Sequence, residues 1–141
     1  MSFVFQARGH PAIRSTHPTT LELTKETHLT TSGDCVVAVD SSTGARDLPS
    51  ELKEALSTTR ARVQLVLKTG PFKFVVEGRG DPRLTFTHPN DLVVRRSGFV
   101  SDRTLMTLAN KSARDIPRKM VRYLQDPKNM VMIEISTLFA K

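Results

Sequence analysis

"FVFQARGHPAIRSTHP", residues 3–18, returns further along the chain as "FVVEGRGDPRLTFTHP", residues 74–89. Eight of the sixteen aligned positions are identical, whereas unrelated sequences of average composition would share roughly one. A second match, offset by 68 residues instead of 71, sets "ARDLP" (45–49) against "ARDIP" (113–117). We therefore interpret residues 1–141 as a single domain made of two tandem repeats, 1–70 and 71–141.

Each repeat carries the same predicted order of elements: three strands, a short helix and a fourth strand. Alternating apolar residues predict the strands. An apolar stripe at helical spacing predicts each helix, and an aspartate followed two residues later by proline predicts its N-cap. The N-caps are Asp47 and Asp115, and the strands are expected near 3–7, 21–23, 35–39 and 63–67, with counterparts near 74–78, 92–94, 103–107 and 131–135.

A repeat of about seventy residues cannot bury a four-stranded sheet alone, so the two repeats are expected to share one core. The prediction is a mainly β fold with pseudo-two-fold symmetry, a closed or partly closed β-barrel with two short helices. The Gly33-Asp34 step before an apolar strand resembles the cradle-loop and double-psi barrels. A β-sandwich of two sheets is the alternative.

Composition excludes several classes of protein. No apolar run approaches the ~20 residues of a membrane span, and the N-terminus has no signal-peptide pattern. The single cysteine, Cys35, fits a reducing cytoplasm and removes a cysteine-rich zinc site. Nucleotide-binding, zinc-protease and serine-hydrolase motifs are absent from the sequence. We therefore predict a cytoplasmic protein with no cofactor and no membrane partner, and leave its oligomeric state open.

The charge favours a polyanionic partner. The chain has 21 basic and 14 acidic residues, and residues 86–141 hold ten of the basic and five of the acidic ones. A basic second repeat indicates RNA or a ribonucleoprotein as partner, although a charged surface also serves solubility. The candidate nucleic-acid-binding residues are Arg95, Arg96, Arg103, Lys111, Arg114, Arg118, Lys119 and Arg122.

The helices of the two repeats differ in charge. Arg118, Lys119 and Arg122 lie away from the predicted apolar stripe, and their first-repeat counterparts are Ser50, Glu51 and Glu54. One end of the molecule is therefore expected to be basic and the other neutral or acidic, which is the main sequence argument for a nucleic-acid-facing side.

The paired loops support a second hypothesis, a small-ligand or enzymatic site. A residue before proline is held extended, so His17 and His88 leave equivalent corners in similar directions. If the corners converge, they bind one anion or one metal ion; otherwise each histidine only stabilises its own corner. His10 and Asp81 would form an acid–base pair, but no nucleophile is identified, which favours a binding protein over an enzyme. The candidate pocket, for an anionic small ligand, is Arg8, His10, His17, Arg79, Asp81 and His88.

Taken together, "ARGHPAIRSTHPTTLELTKETHLTTSGDC", "GRGDP", "THPNDLVVRRS" and "ANKSARDIP" resemble the archaeal family labelled domain of unknown function 371. The resemblance spans essentially the whole chain. It implies an archaeal source and a β-rich fold. It implies no activity, cofactor or catalytic residue.

Overall fold

The computed structural model describes residues 1–30, 32–58 and 61–138, and its elements recur in the same order in the two halves. The first half contains β1 (Ser2–Arg8), β2 (Thr20–Thr24), β3 (Val36–Ala38), a 3₁₀ turn (Ala45–Asp47), α1 (Ser50–Leu56) and β4 (Arg62–Thr69). The second contains β5 (Phe72–Arg79), β6 (Asp91–Arg95), β7 (Thr104–Met106), a 3₁₀ turn (Ala113–Asp115), α2 (Arg118–Leu124) and β8 (Met130–Leu138). The predicted mainly β character with two short helices is confirmed.

The strands form two four-stranded sheets that mix the two halves. In the first sheet the order is β1-β8-β4-β5, and in the second it is β3-β2-β6-β7. The first strand of each half pairs with the last strand of the other half, β1 with β8 and β5 with β4, while β2 pairs antiparallel with β6. Neither half therefore completes a sheet by itself.

Of the predicted closed or partly closed barrel, the closed form is not found among the described residues. The edges of the two sheets meet at two isolated bridges, Arg8 with Val39 and Arg79 with Thr107. The reason is the shortness of β3 and β7, each of three residues. Such short edge strands cannot extend a continuous ladder of hydrogen bonds along β1 and β5.

One hydrophobic core fills the space between the sheets and beneath both helices. Leu21 and Leu23 of β2 and Leu92 and Val94 of β6 point inward, so the residues between them lie on the opposite face of the second sheet. This alternation sets up the polar outer face described below.

The equivalent loops of the two halves share unusual backbone conformations. Ser15 and its counterpart Phe86 both have φ 53, and Asp40 and its counterpart Leu108 both have φ 52. The left-handed region is uncommon for residues other than glycine, so its recurrence at matching positions indicates that the loops have the same shape.

The prediction that Asp47 and Asp115 are the N-caps of the α-helices is wrong, because both residues belong to the 3₁₀ turns that precede the helices. Asp47 and Asp115 close the 3₁₀ turns, where their carboxylates accept the backbone amides of Gly44 (3.0 Å) and Ser112 (2.8 Å). Each α-helix starts after the proline that follows. Both α-helices have seven residues, and within the described ranges no helix is long and apolar enough to cross a membrane.

Candidate functional site

Each Arg-Gly-x-Pro turn lies against the C-terminal end of the helix in the other half. The His10 amide donates to the carbonyl of Leu124, the last residue of α2, at 2.9 Å. The Asp81 amide donates to the carbonyl of Leu56, the last residue of α1, at 3.0 Å. Carbonyls at a helix end have no partner within the helix, so these turns satisfy them from the other half of the chain.

His10 and Asp81 have the same local role and do not face each other. The His10 Nδ1 accepts the Ala12 amide at 3.0 Å, and the Asp81 Oδ1 accepts the Arg83 amide at 2.9 Å. The hydrogen bonds from Arg83 hold the pKa of Asp81 at about 2. The predicted acid–base pair is therefore not formed, because each side chain caps its own turn against a different helix.

The Thr-His-Pro corners are stabilised by their own imidazoles. His17 Nδ1 accepts the amides two and three residues further along, at 3.2 and 3.1 Å, and His88 Nδ1 does the same at 3.1 and 2.9 Å. The carbonyl of His17 accepts the Arg114 amide at 3.0 Å, and that of His88 accepts the Arg46 amide at 2.9 Å. Each corner therefore holds the 3₁₀ turn of the other half in place.

The two corners lie at opposite ends of the β2–β6 ribbon. Thr20, at the start of β2, pairs with Arg95, at the end of β6, and Asp91, at the start of β6, pairs with Thr24. His17 precedes the one end and His88 precedes the other. A five-residue strand spans about 13 Å, so the two imidazoles are too far apart to bind one ion.

Arg8 and Arg79 also lie at separate places, at the two edges where the sheets meet. Both are exposed, and the Arg8 Nε lies 3.8 Å from the Asp40 carboxylate. Among the described residues no hydrogen bond or ion pair joins a first-half member of the predicted pocket to a second-half member. The six residues of the predicted pocket thus lie in two separate loop regions. Arg8, His10 and His17 belong to the first region, and Arg79, Asp81 and His88 belong to the second.

Half of the candidate nucleic-acid-binding residues have partners within the chain. Arg95 donates to Thr104 and Ser101, Arg103 to Asp91, and Arg118 to backbone carbonyls of residues 14, 15, 114 and 116, while the Lys111 ammonium lies 5.1 Å from the Phe74 ring. The remaining four side chains are exposed and make no ion pair with a described residue: Arg96, Arg114, Lys119 and Arg122.

Two of these four cations, Arg96 and Arg114, lie on backbone that hydrogen-bonds to the first Thr-His-Pro corner, and the other two lie on α2, which contacts the loop before that corner. The Arg96 amide donates to the Thr19 carbonyl at 3.0 Å, and the Arg114 amide donates to the His17 carbonyl. Arg118 fixes the start of α2 to the same loop by donating to the Ser15 carbonyl at 2.7 Å. We call this surface the basic end, and it comprises Arg96, Arg114, Lys119 and Arg122 together with Arg14 and Arg118.

The surface around the second corner has a different charge. There the Lys25 ammonium pairs with the Asp47 carboxylate at 3.1 Å, and the helix beside it carries Ser50, Glu51 and Glu54. The difference in charge lies in the helices, where Arg118, Lys119 and Arg122 of α2 align with Ser50, Glu51 and Glu54 of α1. The loop cations do not differ, since Arg96 and Arg114 align with the basic residues Lys25 and Arg46.

A polar cleft lies on the outer face of the second sheet, and sequence reasoning missed it. Its volume is about 330 Å³, and its lining includes Glu22, Cys35, Arg95, Phe99, Ser101 and Arg103. Glu22 faces Val93 across the β2–β6 ribbon, and these two residues are counterparts in the repeat alignment. The cleft therefore sits at the centre of the ribbon, where the two halves meet.

The Glu22 carboxylate and two arginines line this cleft, and a second largely buried carboxylate, that of Asp91, lies beside them in contact with Arg103. The side chains of Glu22 and Asp91 are 15% and 12% exposed. The Arg103 Nη1 lies 2.9 Å from Asp91 Oδ2 and 3.7 Å from Glu22 Oε1. Asp91 also accepts the Thr24 hydroxyl at 2.7 Å, so Asp91 is well satisfied whereas Glu22 has only the longer contact.

Burial raises the pKa of Glu22 from 4.5 to about 7, and the neighbouring Asp91 carboxylate adds to the rise against the opposing effect of Arg103 and Arg95. A buried carboxyl disfavours its charged form. Glu22 therefore titrates near neutral pH, in a cleft and beside specific charge partners, which is a pattern found at functional sites.

The environment of Cys35 in this cleft disfavours a nucleophilic role. Burial raises the pKa of its thiol to about 11, and the thiolate is the reactive form. Among residues 1–30, 32–58 and 61–138, no group of three or more His, Cys, Asp and Glu side chains is placed to hold a metal ion.

A signal for the cleft was present in the sequence, in the positions where the repeats disagree. Every charged member of the cluster has an uncharged counterpart in the other half. Glu22, Asp91, Arg95 and Arg103 align respectively with Val93, Thr20, Thr24 and Cys35. Identical positions drew attention to the loops, whereas the divergent positions on β2 and β6 mark the cleft.

Comparison with known proteins identifies the family. The family described as "Domain of unknown function (DUF371)" matches residues 5–138. The chain is also 37% identical over 131 residues to a protein of Methanocaldococcus jannaschii named "Uncharacterized protein MJ0206", a match that covers 93% of this chain and 96% of that protein. Both matches span the two halves, so the resemblance predicted from the repeated motifs is confirmed.

Proposed function

This chain belongs to the DUF371 family, and we propose that it is a binding module for single-stranded RNA, free or within a ribonucleoprotein. In this proposal the two repeats, 1–70 and 71–141, form one domain whose diverged ends have different partners. The observation that carries it is the basic end, where Arg96, Arg114, Lys119 and Arg122 have no ion-pair partner among the described residues. Unpaired exposed cations are free to neutralise phosphates and release counterions.

The arrangement of the loops supports the proposal. The Arg118 guanidinium donates hydrogen bonds to carbonyls of the first-half loop, which ties α2 to that loop. Arg114 and Arg96 are held by backbone hydrogen bonds to the same loop. The cations thus lie on segments that are hydrogen-bonded to one loop, and a preorganised surface loses less entropy when it binds.

Phe99 adds a second kind of contact. Its side chain is 61% exposed, and the Arg95 guanidinium lies 4.9 Å from the centre of its ring. Arg95 is at the end of β6, next to the basic end. An exposed aromatic ring beside cations is a platform on which an unpaired base stacks, which favours single-stranded over double-stranded RNA.

Replacing Lys119 and Arg122 with glutamine is expected to weaken binding of a single-stranded oligouridylate about tenfold near 0.1 M salt, because two phosphate contacts are lost. The slope of log affinity against log salt should become shallower by about 1.4. Fluorescence anisotropy at several salt concentrations measures both quantities. Both side chains are exposed, so the thermal stability should not change.

The matched control is the double substitution Glu51→Gln/Glu54→Gln, at the equivalent positions of α1. It changes the net charge by two units in the opposite direction, on the helix of the other half, and should alter the affinity by less than about twofold. Equal and opposite effects of the two double variants would show that only net charge matters. That result, or the absence of binding at low salt, would contradict the proposal.

A further inference from the structure

The cleft on the second sheet contains hydrogen-bond donors that the protein does not use. Each guanidinium has five N–H donors. Arg103 contacts both carboxylates through Nη1, and Arg95 uses Nε for Thr104 and Nη2 for Ser101. Within the described part of the chain, the Arg103 Nε and Nη2 and the Arg95 Nη1 have no hydrogen-bond partner. Both arginines line the cleft, so these donors are available to a ligand.

The charge of the cluster depends on Glu22. Two arginines lie beside the carboxylates of Glu22 and Asp91, and the exposed carboxylate of Asp102 also lines the cleft. The net charge of these five groups is −1 when all three acids are ionised and zero when Glu22 is protonated. Asp91 accepts hydrogen bonds from Thr24 and Arg103 at 2.7 and 2.9 Å, whereas Glu22 lies 3.7 Å from Arg103. Protonation of Glu22 therefore weakens fewer and longer interactions than protonation of Asp91 would.

We propose that this cleft binds a small oxyanion, a carboxylate or phosphate group of a small molecule, on the free donors of Arg95 and Arg103, and that Glu22 takes up a proton from solvent as the anion binds. Arginine matches such groups because its donors form a planar fork. Protonated Glu22 removes the negative charge that would otherwise repel the ligand, and the anion replaces Glu22 as the partner of Arg103.

The groups that act on Glu22 are few and all belong to the second sheet or its loops. They are Asp91 and Arg95 of β6, Arg103 before β7, Cys35 before β3 and Glu26 after β2. Glu22 itself has a raised pKa, near 7, so proton uptake falls within an accessible pH range. Arg95 and Arg103 are thus the anion-binding groups of the cleft, whereas the variant that tests RNA binding changes Lys119 and Arg122 on α2.

Sulfate is a suitable probe because it remains a dianion throughout this pH range. We expect the sulfate affinity, measured from amide chemical shifts at constant ionic strength, to fall about tenfold between about pH 6 and about pH 8, since one proton is taken up. Glu22→Gln should bind sulfate with the same affinity at both pH values. Glu77→Gln, a half-exposed carboxyl of the first sheet, should retain the wild-type dependence.

Two further measurements distinguish the classes of ligand and separate this proposal from the proposal of RNA binding. Tighter binding of sulfate than of acetate would assign the cleft to phosphate-like groups, and the reverse order would assign it to carboxylates. Lys119→Gln/Arg122→Gln should bind sulfate as the wild type does, so loss of RNA binding and loss of anion binding are distinguishable.

Two results would overturn the proposal: no saturable shift near Glu22, Arg95 and Arg103, or an unchanged pH dependence in Glu22→Gln. If that variant does not fold, the carboxyl carbon resonance of Glu22 in the wild type provides the test. Sulfate should raise the pKa of Glu22, because the bound anion favours its neutral form. A pKa that sulfate leaves unchanged would also overturn the proposal.

Discussion

Alanine in place of Gly9 or Gly80 is expected to lower the free energy of unfolding by roughly 3 kcal/mol or more. A Cβ at Gly9 would overlap the carbonyl oxygens of Leu124 and Asp126, and a Cβ at Gly80 would overlap that of Leu56. These oxygens belong to backbone at the end of the other half's helix. They cannot move aside without displacing the helix, so the cost is not relieved by a change of rotamer.

Urea denaturation of the two variants beside Gly98→Ala measures this effect. Gly98 is exposed, and a Cβ there would meet no atom within 4 Å, so its substitution should change the stability by less than about 0.5 kcal/mol. Equally small losses for Gly9→Ala and Gly80→Ala would mean that the Arg-Gly-x-Pro turns do not seat on the opposite helices.

Glu22→Gln is expected to stabilise the protein at alkaline pH, by roughly 3 kcal/mol relative to the wild type. The pKa of Glu22 is raised from 4.5 to about 7 in the folded protein. Below about pH 4.5 the carboxyl is protonated in both states, and the substitution has little effect. As the pH rises towards 7 the unfolded chain ionises first, so the wild type loses stability that the glutamine variant keeps.

The test is the difference in unfolding free energy between variant and wild type at about pH 4 and about pH 8. Subtracting the wild type removes the contribution of every other titrating group. Glu77→Gln removes only a solvent-exposed ion pair with Arg62, so its difference should vary by less than about 1 kcal/mol between the two pH values. An equally small variation for Glu22→Gln would show that burial and neighbouring charge do not disfavour the ionised form of Glu22.

Comparison of the two repeats predicted most of the fold. The alternation in β1 and β5, the helical stripes and the positions of β2 and β6 are found close to where the sequence places them. Local patterns of this kind are set by which residues must face a core. Strand pairing between the halves is not a local property, and the sequence therefore did not reveal that each first strand pairs with the other half's last strand.

The loops misled the site prediction for a physical reason. His17 and His88 recur because an imidazole nitrogen can accept two backbone amides at a tight corner, and His10 and Asp81 replace each other because both accept one amide. Identity between repeats thus marks what both copies need for folding. The charged cluster of Glu22, Asp91, Arg95 and Arg103 breaks the repeat, and only the folded sheet brings its members together.

The most direct test of RNA binding is an amide chemical-shift map of the protein titrated with single-stranded oligouridylate at low salt. The basic end should respond, with the largest changes around Arg96, Arg114, Lys119 and Arg122, and these changes should reverse as salt is added. The equivalent residues near His88 and α1 should not shift. Changes centred on α1, or no changes at low salt, would contradict the proposal that the diverged second repeat carries the nucleic-acid-binding surface.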